Sequence, residues 1–224
     1  MDSHAKAILE KRIVKVTENL RKNNMQVHYV ESKADVVDKV AELLKDGDTV
    51  GIGGSQSIFE SGVFDLLRSG KYNFLDRYKE GLSREEIEKI YVKSFSADAY
   101  ICSSNAITEK GELYNVDGSS NRVAAICYGP KSVIIIAGYN KIVKNFEEAV
   151  KRVKSIAAPA NCDRLNCNTY CKEKGECISF LTDASDITNG CSSPDRTCCN
   201  YVFSAYQRKK DRIKVILVGE ELGY

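Results

Sequence analysis

The run Ser132–Gly138 (SVIIIAG) is the most apolar stretch of the chain, and it constrains the fold more than any other feature. It is far too short to cross a bilayer, which takes about 20 apolar residues in a helix. A brief, continuous, β-branched run of this kind reads as a strand buried on both faces. Thr49–Ile52 and residues 97–103 read the same way, and Gln26–Val30 as a shorter strand. Helical patterns lie between them. Residues 5–23 place Ile8, Ile13, Val16 and Leu20 at roughly helical spacing, and residues 33–44 put Val36, Val37, Val40, Leu43 and Leu44 on one face. Residues 58–67, 121–128 and 146–155 also read as helices, and Ser83-Arg84-Glu85-Glu86 is a capping box that opens another. Strands alternating with helices predict an α/β fold with an open, mostly parallel sheet flanked by helices. Two further strand-like runs, 200–205 and Ile213–Val218, can join as a hairpin through the charged turn between them.

The 224 residues suffice for one substantial domain spanning 1–224, with residues 157–199 as an elaboration within it. A formal net charge of +2 gives no basic stripe for a nucleic-acid partner. The start of the chain mixes Lys, Arg and Glu with apolar residues and lacks a signal-peptide core. A cytoplasmic protein with no membrane partner is the expectation, and self-association into a homo-oligomer is left open.

Cysteine usage is uneven. Seven of nine cysteines (Cys162, Cys167, Cys171, Cys177, Cys191, Cys198 and Cys199) crowd into a stretch rich in Asn, Asp, Gly and Ser. An odd number of thiols in a reducing compartment does not suit a disulfide framework, which favours metal or redox chemistry. Cys167 and Cys171 are the one close pair of chelate spacing, and no C-x2-C knuckle is present. Zinc, an iron–sulfur cluster, a redox-sensing thiol group and inert surface thiols all remain open on spacing. Cys102 and Cys127 read as small core residues.

Two loops can carry chemistry. Gly51-Ile52-Gly53-Gly54-Ser55-Gln56-Ser57 joins a strand to a helix, where backbone amides and the hydroxyls of Ser55 and Ser57 can meet an anion. It is neither a full G-x-G-x-x-G fingerprint nor a Walker A loop, and a plain capped turn explains it equally. The stretch 105–123 packs many polar groups between two buried strands. Within it Arg122 can grip a carboxylate or phosphate bidentately, and Glu109 or Asp117 can act as base, nucleophile or orienter. A hairpin with Asx turns and an internal Arg ion pair is the alternative. His4 and His28 lie too far apart in sequence to favour a triad, and Tyr72, Tyr78, Tyr91 and Tyr100 read as packing.

At this stretch an ordered set of motifs emerges: Asn105-Ala106-Ile107-Thr108, Asn115-Val116-Asp117-Gly118, Asn121-Arg122-Val123-Ala124-Ala125, Gly129-Pro130 and Gly138-Tyr139-Asn140-Lys141-Ile142-Val143. With Gly53-Gly54-Ser55 it resembles the LUD-domain family of lactate-utilisation proteins, from near residue 10 to the end. The resemblance implies an open α/β fold akin to the sugar-isomerase and CoA-transferase-like superfamily. It also implies a role in L-lactate oxidation to pyruvate, with a small anionic metabolite as ligand and iron–sulfur oxidoreductase subunits as partners. By position it puts Gly53, Gly54, Ser55, Asn105, Thr108, Asp117, Asn121, Arg122, Asn140 and Lys141 around the cleft. Acyl-transfer members of the superfamily use a Glu nucleophile, for which Glu109 is the nearest candidate. One branch carries a cysteine series ending Ser-Pro-x-Arg-x-Cys, matched by residues 193–198, which implies Cys171, Cys177, Cys191 and Cys198 as a zinc or iron–sulfur set. The separation from Cys177 to Cys191 departs from that pattern by an insertion at 178–190. A non-catalytic scaffold or regulatory subunit and an acyl or CoA transferase are the competing functions.

Overall fold

The computed structural model describes residues 2–183 and 185–224. Met1 and Ala184, the latter within the 178–190 insertion, lie outside them. Helix α1 (Ser3–Lys22) is capped by Asp2, whose carboxylate accepts from the amides of His4 and Ala5. Then follow β1 (Gln26–Val30), α2 (Val36–Leu43), β2 (Thr49–Ile52), α3 (Gln56–Glu60), α4 (Val63–Arg68) and β3 (Asn73–Phe74). The middle of the chain forms α5 (Arg84–Ser94), β4 (Ala99–Cys102), β5 (Ala106–Thr108), β6 (Leu113–Asp117), α6 (Asn121–Cys127), β7 (Ser132–Gly138) and β8 (Ile142–Val143). The remainder forms α7 (Phe146–Arg152), α8 (Ala158–Arg164), α9 (Tyr170–Lys174), β9 (Asn200–Ser204) and β10 (Ile213–Val218).

Six strands in the order β1-β10-β7-β4-β2-β3 make one sheet, parallel at every pairing. The expected α/β architecture is present. Because successive side chains leave a strand on opposite faces, β7 feeds two separate cores. Val133, Ile135 and Ala137 pack with Ile13, Val16 and Leu20 of α1. Ile134 and Ile136 pack with Val36 and Val40 of α2 and with Phe64 and Leu67 of α4. Both faces are covered by helices, which is why the strand is apolar along its whole length.

A second, mixed sheet has the order β8-β5-β6-β9. The hairpin that is the alternative reading of the polar stretch forms its centre, with β5 and β6 antiparallel. The expected C-terminal hairpin does not form. β9 runs antiparallel to β6 in the small sheet, whereas β10 lies between β1 and β7 in the large one. The burial explains the separation: β10 is buried at every position except Lys214, so it suits only a central strand, while β9 keeps exposed residues along its length.

The helix read at 146–155 runs on to Arg164 through a π turn at Val153–Ala157. Pro159 has no N–H to continue this ladder, and the carbonyl of Lys154 accepts instead from the Cys177 amide at 3.0 Å. The cysteine segment is therefore partly helical. Thr169 caps α9 by accepting from the Lys172 amide. Cys127, expected in the core, is exposed at the end of α6; Cys102 is buried.

Candidate functional site

The carboxyl ends of β2, β4 and β7 open onto one cleft of about 520 Å³, whose far wall comes from the small sheet, α8 and the cysteine segment. That volume falls within the roughly 300–1,000 Å³ of small-molecule sites. Gly54 and Ser55 follow β2, Ser103, Ser104 and Asn105 follow β4, and Lys141 follows β7. Asp117, Asn121 and Arg122 line it from the β6–α6 junction.

Arg122 is the hub of this junction. Its Nη1 donates to Ser103 O at 3.0 Å and Asn115 Oδ1 at 2.6 Å. Its Nη2 donates to Asn105 Oδ1 at 2.9 Å and Val116 O at 2.6 Å. Nε faces Asp117 Oδ2 at 3.5 Å. The fork expected to grip a ligand is occupied by the protein, so Arg122 positions the walls of the cleft. Gly53 is the counterpart of this arrangement, because a Cβ there would sit 3.1 Å from both Arg122 Cδ and Cys102 Cβ. Asp117 adds an Asx turn by accepting from the Ser120 amide at 3.0 Å.

Lys141 is buried beneath the cleft, and its Nζ donates to Ser57 Oγ and Ser103 Oγ, both at 2.9 Å. Burial first, then the charges of Arg152 and Arg122, bring its pKa down to about 7. Ser57 thus acts behind the cleft and holds Lys141 in place. Asn140 donates to Gly223 O and accepts from the Leu222 amide, which ties down the segment that brings Tyr224 to the cleft.

Two expected residues lie elsewhere. Thr108 donates to Glu112 inside the β5–β6 hairpin. Glu109 is turned toward α1, where Arg12 Nε and Lys15 Nζ hold it at 2.9 and 2.8 Å. These two cations keep its carboxyl below the usual range. The hairpin reverses the chain here and carries Glu109 off the cleft lining, which removes it from any acyl-transfer role there.

The sequence reading missed Arg77 and Arg164. The Arg77 guanidinium stacks 5.0 Å from the Tyr78 ring and 4.8 Å from the Tyr91 ring. All three residues line the cleft. Arg164 donates to Tyr224 Oη and Asn161 Oδ1, both at 2.7 Å. Among the described residues, no carboxylate forms an ion pair with either arginine. Among the described residues, four arginines line the cleft against two side-chain carboxylates, Asp117 and Asp195. The one signal in the sequence was an Arg among tyrosines in an irregular stretch, which is not a motif.

The cysteine segment divides between two places. Cys167 and Cys199 line the main cleft. Cys171, Cys177, Cys191 and Cys198 line a separate cavity of about 20 Å³, together with Tyr114, whose buried hydroxyl has no hydrogen-bond partner. The four thiols implied as a metal set therefore converge. Among the described residues, however, no three potential ligands stand close enough to hold one ion. Cys177 Sγ accepts from Ser179 Oγ at 3.3 Å, and Cys198 Sγ lies 3.6 Å from Arg196 Nη2. In this arrangement the set does not fit zinc or an iron–sulfur cluster. Cys162 is buried against this set: its thiol meets those of Cys171 and Cys167 and lies 3.4 Å from Thr197 Oγ1.

These features define a class: an open α/β domain with an arginine-lined cleft at the carboxyl ends of its parallel strands. The chain belongs to the LUD-domain family, whose model matches residues 13–218, and is thereby a lactate-utilisation-related protein. A DUF162 family protein from Deinococcus radiodurans shares the fold, with a TM-score of 0.53 and 14% identity over 94% of this chain and 98% of that one. eIF2B delta from Chaetomium thermophilum matches 51% of this chain and 49% of its own at 19% identity. The TM-score of that match is 0.36. No curated protein matches the chain. Among the described residues, no helix is long and apolar enough to cross a membrane.

Proposed function

We propose that the chain binds a small carboxylate, L-lactate or the pyruvate formed from it, and serves L-lactate oxidation beside an iron–sulfur oxidoreductase partner. Arg77 is the observation that supports this reading best. A guanidinium without a carboxylate partner, held against two tyrosine rings at the cleft wall, is preorganised for bidentate contact with a carboxylate. Arg164 adds a second such cation. Family membership supports the choice of a lactate-related acid over other anions. Oxidising lactate releases two electrons, which the partner accepts, while this chain holds and orients the acid.

Ligand-observed NMR titration with L-lactate and pyruvate tests the reading. Saturable binding that weakens in Arg77→Ala is expected. If neither acid binds while an iron–sulfur partner is still captured, the chain is a scaffold instead. Zinc and iron analysis of anaerobically purified protein separately tests the centre implied for Cys171, Cys177, Cys191 and Cys198.

A further inference from the structure

We propose that Lys141 is a nucleophile whose amine adds to the carbonyl of a 2-oxo acid bound in the cleft and forms an imine. The proposal rests on the reading of the cleft as a carboxylate site. Lys141 closes the short turn Tyr139–Lys141 after β7 and lines the cleft with only 3% of its surface exposed. A lysine buried to this degree is ordinarily paired with a carboxylate. Here its hydrogen-bond partners are two neutral hydroxyls, Ser57 Oγ and Ser103 Oγ.

The charged and titratable groups around it disfavour an ammonium on balance. Arg152 on α7 and Arg122 on α6 are cations, opposed by the more weakly coupled Glu60 on α3 and the Cys102 thiol on β4. Burial contributes the largest effect, and the pKa of about 7 leaves much of the amine with a free lone pair at neutral pH. Purely structural lysines have no use for that lone pair, whereas a nucleophile requires it. Ser57 and Ser103 are themselves linked at 3.4 Å, and Ser57 also donates to Leu222 O at 3.1 Å, so the amine is held by a fixed hydroxyl pair.

The step balances without an outside oxidant or reductant. The Nζ lone pair attacks C2 of the oxo acid, and the carbonyl π pair moves to oxygen. That oxygen takes one proton from the nitrogen, and the resulting hydroxyl departs as water with the second. A C=N bond remains, and the carboxylate stays with Arg77 at the wall of the same cleft.

Reductive trapping decides the matter on the full-length wild-type chain. The protein is incubated with pyruvate and sodium cyanoborohydride and mapped by peptide mass spectrometry, while pyruvate binding is followed in parallel by ligand-observed NMR. One reduced adduct on Lys141, in excess of every other lysine, is expected, and labelling should rise from about pH 6 to about pH 8 as the amine loses its proton. The adduct should vanish in Lys141→Arg, although the wild-type map stands without that variant. Pyruvate that binds without labelling Lys141, or labels surface lysines uniformly, overturns the imine and leaves the carboxylate site standing. Pyruvate that does not bind at all overturns both.

Discussion

Arg122 Nε and Asp117 Oδ2 face each other at 3.5 Å across the β6–α6 junction, each with 11% of its side chain exposed. The remaining N–H groups of Arg122 reach Ser103, Asn105, Asn115 and Val116, so one side chain ties the end of β4 to β6 and α6. Removing the guanidinium takes a donor from each of those acceptors, although Asn105 Oδ1 keeps the Val116 amide, and leaves Asp117 largely buried without its cation. Arg122→Ala should therefore cost about 3–5 kcal/mol, measured from urea unfolding. Lysine in its place restores the charge but not the fork, and should recover only part of the loss. An alanine variant within about 1 kcal/mol of wild type would show the network to be dispensable.

Arg77 is the opposite case. Its contacts are the rings of Tyr78 and Tyr91, and no ion pair among the described residues depends on it. Arg77→Ala should raise the Kd for pyruvate roughly tenfold, the loss of about 1.4 kcal/mol expected when a charge-assisted contact goes. Stability should move by less than about 1 kcal/mol. Calorimetric titration beside urea unfolding separates the two effects, and an unchanged Kd would rule Arg77 out as the carboxylate anchor.

The contrast between these two arginines shows what a sequence can and cannot disclose. Ser132–Gly138 could be placed in advance because a continuous β-branched run has one stable home, the middle of a covered parallel sheet. The loops at 53–55 and 105–122 could be brought together because the ends of parallel strands converge. Which way Arg122 points is another matter. Its acceptors come from four positions on separate stretches of chain, and only tertiary packing reveals that they fill its donor set. Glu109 illustrates the same limit, since the β5–β6 reversal decides whether it faces the cleft or α1. Likewise β9 and β10 are both apolar enough to pair, and only their difference in burial separates them into two sheets.

Gly111, in the β5–β6 turn, sits against the backbone of α1. Its φ is +77°, and a Cβ there would lie 2.4 Å from Leu20 N and 2.5 Å from Asn19 C. Main chain cannot yield as a flexible side chain does. Asn19 and Asn23 bind this turn closely, by donating to Glu109 O at 2.7 Å and Gly111 O at 2.8 Å. Gly111→Ala should cost about 3 kcal/mol or more, the sum of left-handed strain and overpacking. Gly47 provides the control: its φ is +84° but nothing lies within 4 Å of the added carbon. Gly47→Ala should cost only about 1 kcal/mol. Equal losses in the two variants would show that strain alone, and not the approach of α1, sets the requirement.

Glu109 supplies a pH dependence whose sign follows from its partners. Hydrogen bonds from Lys15 and Arg12 hold its folded-state pKa below the ordinary 4.5. A carboxylate depressed in this way binds fewer protons in the folded state than in the unfolded one. Its contribution is complete above the unfolded value and is lost as the pH falls through the lower folded value. Glu109→Gln should therefore be less stable than wild type at neutral pH, and the gap should close as both are acidified. Because Glu109 lies off the cleft lining, its replacement should leave pyruvate affinity unchanged. Urea midpoints measured across the acid range, with one titration at neutral pH, check both statements. A gap that persists at low pH would mean the amide disturbs packing, and a loss of pyruvate affinity would return Glu109 to the binding site.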